Sequence, residues 1–84
     1  MTYKINFARS TKKDFKRINR QDAIRIVTAI SLLADNPRPR GVKKMSGQDA
    51  WRIRVGEYRV VYDIHDNVIT ILILKIAHRK DVYR

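Results

Sequence analysis

Hydrophobic and polar positions alternate with two different periods along the chain, and these periods divide it into elements. Residues Thr2–Phe7 alternate apolar with polar side chains, which predicts a short strand whose apolar face, Phe7 included, is buried. Apolar positions three apart predict a first helix over Thr11–Ile18, with Ser10 as its capping residue. Asp14 lies early in this helix, where the helix dipole favours a negative charge.

A second and longer helix is predicted by the next segment. Apolar residues recur there at helical spacing, at Ala23, Ile26, Val27, Ile30, Leu33 and Ala34. Pro37 ends this helix, because proline cannot continue a helix and restricts the residue before it. Residues Pro37–Gly47 are rich in Pro, Gly and Lys, and they indicate a basic loop with a short strand near Val42–Met45.

Three further strands follow the basic loop. Trp51–Val55 alternates, and Gly56–Glu57 fits a two-residue hairpin turn with glycine at the first central position. Tyr58–Asp63 is the returning strand, and a turn at Asp66–Asn67 leads into Val68–Ala77. That last strand is apolar on both faces, which predicts a place inside the sheet.

The order of elements predicts the fold class and the domain organisation. One strand, two helices and an antiparallel meander of three or four strands make an α+β fold, with the helices packed on one face of a mainly antiparallel sheet. A chain of 84 residues has room for a single domain, which we place over residues 1–84.

The predicted hairpin fixes which side chains share a face. A two-residue turn sets Val55 opposite Tyr58 and Arg54 opposite Arg59. The face predicted to join the core carries Trp51, Ile53, Val55, Tyr58, Val60 and Tyr62. The other face carries Arg52, Arg54 and Arg59, and two arginines opposite each other repel. Either an anion lies between them, or the face is solvated and its arginines pair with Glu57, Asp63 or a C-terminal Asp.

Charge supports an anionic partner. The net charge is +11, from 19 basic and 8 acidic residues. Residues 1–20 carry +6, residues 37–54 carry +5 and residues 74–84 carry +3. Such a charge works against compactness unless nucleic acid, an acidic protein or a membrane surface offsets it. If the strand of Arg52 lies beside the strand that ends at Arg79, two of these clusters merge into one concave patch.

Other features narrow the classes of function. The chain has no cysteine, which excludes disulfides and thiolate sites and fits a reducing cytoplasm. Two histidines are too few for an ordinary zinc site, so we expect neither a metal nor another cofactor. The longest apolar run, Val68–Leu74, is too short to cross a bilayer, and the N-terminus lacks the apolar core of a signal peptide.

Candidates for chemistry lie near the C-terminus. His78 follows the last apolar strand beside Arg79, and it either transfers a proton or is structural. Tyr83 either stacks on a base and orients a phosphate, or holds the basic tail against the sheet. Lys75 interrupts the apolar strand, and it reaches the face of Arg52, Arg54 and Arg59 only if the register of that strand allows it.

Two segments of the chain resemble a known family. WRIRVGEYRVVYDI and the closing AHRKDVYR are similar to the RelE/ParE superfamily of toxins from toxin–antitoxin pairs, and the similarity covers nearly the whole chain. The resemblance implies a microbial RNase fold. In its RelE branch it implies metal-independent cleavage of mRNA in the A site of the 70S ribosome, by attack of the RNA's own 2′-OH on the adjacent phosphate.

The resemblance also implies roles for particular residues. Arg52 and Arg54 match two basic residues of RelE-type enzymes, while Arg59, Arg79 and Tyr83 match further members of the catalytic set. The best-known pattern has lysine where this chain has Arg52 and Arg54. Arginine is a poor general base because its pKa exceeds about 12. We therefore expect these arginines to stabilise charge, and we prefer His78 for proton transfer.

The resemblance names partners and leaves two alternatives. It implies an acidic antitoxin that wraps the toxin, and operator DNA contacted only through the antitoxin complex. ParE-type members of the same fold inhibit DNA gyrase without nuclease activity, and a non-catalytic member would bind only its antitoxin. Basic side chains expected to contact RNA or the ribosome are Lys12, Lys13, Lys16, Arg17, Arg40, Lys43, Lys44 and Lys75.

Overall fold

The computed structural model describes residues 2–45 and 50–82, with side chains as far as Lys80. The strands are β1 (Lys4–Phe7), β2 (Lys43–Lys44), β3 (Ala50–Val55), β4 (Tyr58–His65) and β5 (Thr70–His78). The helices are α1 (Thr11–Lys16), α2 (Arg20–Leu33) and the short α3 (Arg79–Val82), and a 3-10 turn covers Asp66–Val68. Tyr83 and the predicted end of the basic loop at Gly47 lie outside the described residues.

The strands form one five-stranded sheet in the order β1-β5-β4-β3-β2. β1 pairs with β5 in parallel, and the three other pairings are antiparallel. The predicted α+β class is therefore confirmed, as is the interior place of the last strand. The strand of Arg52 does not lie beside the strand that ends at Arg79, because β4 separates β3 from β5, so the condition for joining those two charge clusters through neighbouring strands is not met.

The core lies between α2 and one face of the sheet. Its members from α2 are Ile26, Ile30 and Leu33, and its members from the sheet are Val60, Tyr62, Ile71, Ile73 and Ile76. Two residues that the sequence predicts to be buried are about half exposed instead: Phe7 and Val27 are each 46% exposed. Phe7 lies at the end of the edge strand, where it packs against Phe15 at a ring-centroid distance of 6.2 Å. Val27 lies at the edge of the buried side of α2, so about half of its surface is exposed.

The ends of the first helix also differ from prediction. Ser10 precedes α1, but its hydroxyl forms no capping hydrogen bond and donates to the Leu74 carbonyl at 3.5 Å. α1 ends at Lys16, so Ile18 is buried outside the helix. α1 ends before Ile18 because the N-cap of α2 follows directly. Asn19 has an extended backbone there, and its side chain accepts a hydrogen bond from the Asp22 N–H.

Asp14 has a structural role that its place in the helix alone does not reveal. β1 stops pairing with β5 at Phe7 and Ile73, so β5 continues without a strand on that side. The Ile76 N–H, further along β5, donates to the Asp14 carboxylate at 3.0 Å. α1 therefore satisfies a backbone donor at the sheet edge, which would otherwise be costly to bury.

The pairing of β4 with β5 contains a bulge that determines which face Lys75 occupies. The register shifts between Val61, which pairs with Lys75, and Tyr62, which pairs with Ile73. Without this shift Lys75 would oppose the buried Val60 and point into the core. With it, Ile76 opposes Val60 and is buried, while Lys75 opposes Val61 on the other face of the sheet and is exposed.

Two sets of contacts hold the basic loop that follows α2. The buried Tyr62 hydroxyl donates to the Pro37 carbonyl at 2.7 Å. Arg38 Nη2 lies 2.9 Å from Asp66 Oδ2, and the Tyr3 hydroxyl donates to Asp66 Oδ1 at 2.6 Å. These contacts join the loop to β4 and to the turn before β5, and the same turn is bonded to Tyr3, just before β1.

Candidate functional site

The predicted hairpin register is confirmed, and it places three arginines on one open face of the sheet. Arg54 pairs with Arg59, and Arg52 pairs with Val61. Gly56 alone of the two turn residues has a positive φ, of 60°, as a type II′ turn requires. We call this surface the arginine face, defined by Lys43, Arg52, Arg54, Arg59 and Lys75.

Two rows of paired residues cross this face. The first runs over four strands, from Lys43 through Arg52 and Val61 to Lys75. The second pairs Arg59 with Arg54 on one side and with Ala77 on the other. Basic residues from four different strands are thus brought together by pairing alone, since side chains at paired positions point to the same side.

A shallow depression of about 190 Å³ lies on the arginine face. Its lining residues are Gly41, Lys43, Arg52, Ile53, Arg54 and Arg59. Four of these carry a positive charge and none carries a negative charge. Guanidinium groups offer planar pairs of donors that match phosphate oxygens, so the depression suits a phosphodiester.

Two arginines, Arg54 and Arg79, are bonded to the hairpin turn beside this depression. Arg54 Nε donates to the Gly56 carbonyl at 3.1 Å. The Arg79 N–H donates to the Glu57 carbonyl at 2.7 Å, and Arg79 Nε lies 3.3 Å from Glu57 Oε2. Arg79 is therefore bonded to the hairpin turn, and it is not among the residues that line the depression. The ion pair agrees in part with the alternative interpretation, in which Glu57 neutralises an arginine.

His78 lies on the other side of the sheet. It pairs with Tyr58, whose neighbours at alternate positions belong to the core, so its side chain does not share the face of Arg54 and Arg59. The two rings meet edge to face, with centroids 5.4 Å apart. Its Nδ1 accepts a hydrogen bond from the Lys80 N–H at 3.2 Å, which a neutral imidazole protonated on Nε2 can do.

The remaining predicted basic residues occupy three other surfaces. Lys12, Lys13, Lys16 and Arg17 are exposed on and just after α1. Arg40 lines an apolar groove of about 570 Å³ between the basic loop and the end of α2. Lys44 lies on the helix side, with its ammonium 5.8 Å from the centre of the Trp51 ring, and Arg38 lies 5.2 Å from that ring.

Two residues that the sequence did not place in the site are found at its border. Arg25 of α2 lies beside Gly56, although no spacing in the sequence relates α2 to the hairpin turn. The sequence predicts Glu57 only as a turn residue and, in one of two alternatives, as an ion-pair partner of the arginines. Within residues 2–45 and 50–82, no three His, Cys, Asp or Glu side chains gather as metal ligands would, and no helix has the length and hydropathy of a membrane span.

Comparison with known proteins finds the same fold and the same family. The model of a family described as the ParE toxin of the type II toxin–antitoxin system parDE matches residues 5–83. A Methanocaldococcus jannaschii protein with the name RelE1 is 27% identical, over all of this chain and 98% of the relative. Toxin RelG of Mycobacterium tuberculosis is 28% identical, over all of this chain and 99% of the relative.

A solved structure extends the comparison to three dimensions. The archaeal RelE–RelB complex from Pyrococcus horikoshii OT3 contains a chain that superposes with a TM-score of 0.83 at 29% identity. The superposition covers 94% of this chain and 97% of that one. The chain described here therefore belongs to the RelE/ParE superfamily and is a toxin of the type II toxin–antitoxin class.

Proposed function

We propose that this toxin is an mRNA interferase, an endoribonuclease that cleaves mRNA in the ribosomal A site. The observation that carries the proposal is the depression on the arginine face, whose lining among the described residues includes Lys43, Arg52, Arg54 and Arg59 and no acidic residue. Opposed arginines are unfavourable by themselves. An RNA phosphate between them offsets that repulsion, and the similarity to proteins named RelE points to the same substrate.

The chemistry we assign to this face is transesterification within the RNA. The 2′-oxygen attacks the adjacent phosphorus as it loses its proton, and the bond from phosphorus to the 5′-oxygen breaks. The departing oxygen takes up a proton, so the products are a 2′,3′-cyclic phosphate and a 5′-OH. Arg52, Arg54 and Arg59 stay protonated throughout, so they stabilise the negative charge on the phosphoryl oxygens rather than accept the proton.

Arg79 and Tyr83 complete the catalytic set in this proposal, with Arg79 held at the turn by Glu57. Proton transfer by His78 stays a prediction. Its imidazole contacts Tyr58 on the opposite face, so direct transfer at the arginine face requires that contact to break. If His78 has no such role, the rate enhancement comes from the arginines and from the positioning of the RNA by the ribosome. Orientation of the reacting groups alone can raise a reaction rate by several orders of magnitude.

The proposal includes the partners that the resemblance implies. An acidic antitoxin masks the basic surfaces, and operator DNA is contacted through the antitoxin complex. The exposed cations of α1 and the basic loop bind ribosomal RNA when the toxin is free. The toxin acts where its substrate is, on translating ribosomes in the cytoplasm, without a metal or another cofactor.

The decisive experiment is primer extension on mRNA bound to purified ribosomes. We expect the wild type to cut within the A-site codon and Arg59→Ala to lose the cut by at least about 100-fold, as for removal of one donor to a developing charge. Arg20→Ala removes an equal charge from α2 and is expected to cut normally. Uncut mRNA with the wild type would refute the proposal.

Inhibition of DNA gyrase is the second candidate function, and a specific observation favours it. The matching family model is described as the ParE toxin of parDE. A supercoiling assay with purified gyrase, run beside the ribosome assay, separates the two. Loss of supercoiling with intact mRNA would establish the gyrase function, whereas cleavage with normal supercoiling would exclude it.

A further inference from the structure

Three arginines from separate parts of the chain meet at the Gly56–Glu57 turn. Arg25 of α2 has its Nη1 3.8 Å from the position that a Cβ on Gly56 would take. Arg54 of β3 donates to the Gly56 carbonyl, and Arg79 after β5 is bonded to Glu57. We call these three arginines the turn cluster.

Among the described residues, the turn cluster has three positive charges and one ion pair, to Glu57. That ion pair joins Glu57 to Arg79 through side chains that are 58% and 49% exposed. An exposed pair of this kind contributes little to stability and competes poorly with a stronger ligand. In the part of the chain that the structure describes, Arg25 has neither a hydrogen bond nor an ion pair.

The position of Arg25 relates the cluster to the arginine face. α2 packs on the core side of the sheet, whereas Arg54 and Arg59 are on the open side. A guanidinium that extends from α2 to the hairpin turn is therefore at the border between the two sides. An RNA strand carries one negative charge per nucleotide, so a strand that lies across the arginine face and past the turn brings a further phosphate to this border.

We propose that Arg25 is an additional phosphate-binding residue of this toxin. It binds the RNA phosphate next to the one held by Arg54 and Arg59, outside the bond that is cut. This inference rests on the proposed function, since it takes RNA to be the ligand of the arginine face. Arg25 touches the RNA chain but not the reacting atoms, so it contributes to affinity and leaves the chemical step unchanged.

The test is the salt dependence of RNA binding. Fluorescence anisotropy of a labelled single-stranded RNA decamer is measured over a range of KCl concentrations, with the wild type, Arg25→Ala and Arg20→Ala. Each phosphate contact to single-stranded RNA contributes about 0.7 to the slope of log affinity against log salt. We expect Arg25→Ala to lower the slope by about that amount, and Arg25→Lys, which keeps the charge, to restore it.

Arg20→Ala is the matched control. It removes the same side chain from the same helix, but residue 20 is 140° around the helix from residue 25 at about 100° per residue. The proposal is overturned if Arg25→Ala keeps the wild-type slope, if Arg20→Ala lowers it equally, or if the wild type does not bind the decamer at the lowest salt.

Ribosome-bound mRNA provides the separate readout. With saturating toxin, Arg25→Ala is expected to cleave at the wild-type maximal rate and to need several-fold more toxin for half that rate. A lower maximal rate with unchanged half-saturation would overturn the inference. Absence of cleavage by the wild type would instead refute the proposed function, while the binding slopes would still decide whether Arg25 contacts phosphate.

Discussion

Replacing Tyr62 with phenylalanine tests how firmly the core holds the basic loop beside the arginine face. Tyr62 is fully buried at 0% exposure, and its hydroxyl donates to the carbonyl of Pro37, which is also buried. Among the described residues no second donor reaches that carbonyl. Tyr62→Phe keeps the ring in the core but leaves the carbonyl oxygen unsatisfied.

The expected cost follows from that unsatisfied acceptor. A buried polar group that loses its partner costs about 1–3 kcal/mol in the free energy of unfolding. For a domain of this size, each kcal/mol corresponds to a decrease of roughly 4–8 °C in Tm. Urea unfolding followed by circular dichroism measures the free energy of unfolding. An unchanged slope of that free energy against urea concentration would show that the surface exposed on unfolding is unaltered.

Tyr58→Phe is the matched control, because the Tyr58 hydroxyl has no hydrogen-bond partner among the described residues. We expect it to stay within about 0.5 kcal/mol of the wild type, as substitutions without a special contact do. Equal costs for Tyr62→Phe and Tyr58→Phe would refute the inference that the bond to Pro37 stabilises the fold.

The pH dependence gives an independent check on the same residue. Burial raises the pKa of Tyr62 to about 12, from an ordinary value of 10.0. The folded protein then keeps the Tyr62 proton while the unfolded chain loses it above about pH 10. Wild-type stability should therefore decline between these two values, and the difference from Tyr62→Phe should be constant below pH 10 and become smaller above it.

Three further predictions concern other parts of the molecule. Gly56→Ala should lower the free energy of unfolding by about 1–2 kcal/mol, because a φ of 60° strains a residue that has a Cβ. Crowding does not add to this cost, since the nearest atom to the new Cβ would be at an ordinary 3.8 Å. Urea unfolding measures the change, and an unchanged stability would contradict the prediction. Asp66→Asn should destabilise the protein at neutral pH and not in acid. Hydrogen bonds from Arg38 and Tyr3 lower the pKa of Asp66 from 3.8, so its contribution is present above that value and is lost as the pH falls through the folded pKa. Acid titration of both proteins tests this, and parallel curves would contradict it. Replacing the exposed cations of the α1 region with alanine should weaken ribosome or antitoxin binding and reduce its salt dependence, and unchanged affinity for both partners would refute that role; these cations are Lys12, Lys13, Lys16 and Arg17.

Local patterns in the sequence determined the elements and the register of one hairpin. Gly56–Glu57 is a two-residue turn, and alternation on both sides of it leaves one pairing that places Ile53, Val55, Tyr58 and Val60 on the same face of the sheet. The opposition of Arg54 and Arg59 follows from those facts without any tertiary information. The chain also predicted α2, because its apolar stripe has the period of a helix, although Val27 lies at the edge of that stripe and is about half exposed.

Local sequence patterns did not predict the ends of α1 correctly. Ser10 has the residue type of a cap, yet its hydroxyl bonds to β5, and α1 ends early because Asn19 begins the next helix. Cap preferences differ by only about 1 kcal/mol, so one tertiary hydrogen bond is enough to override them.

Tertiary structure decided how distant segments meet. The bulge between β4 and β5 places Lys75 outside and Ile76 inside, because burying the lysine would desolvate its charge without a partner. β5 pairs with β4, which begins at the hairpin turn, so the end of β5 lies beside that turn. Arg79 is therefore bonded to Glu57, whereas His78 lies on the face opposite the arginines. Arg25 reaches that turn only because α2 packs across the sheet. The sequence by itself thus determined the hairpin and its charge, whereas the completed site depends on contacts between segments that no local pattern encodes.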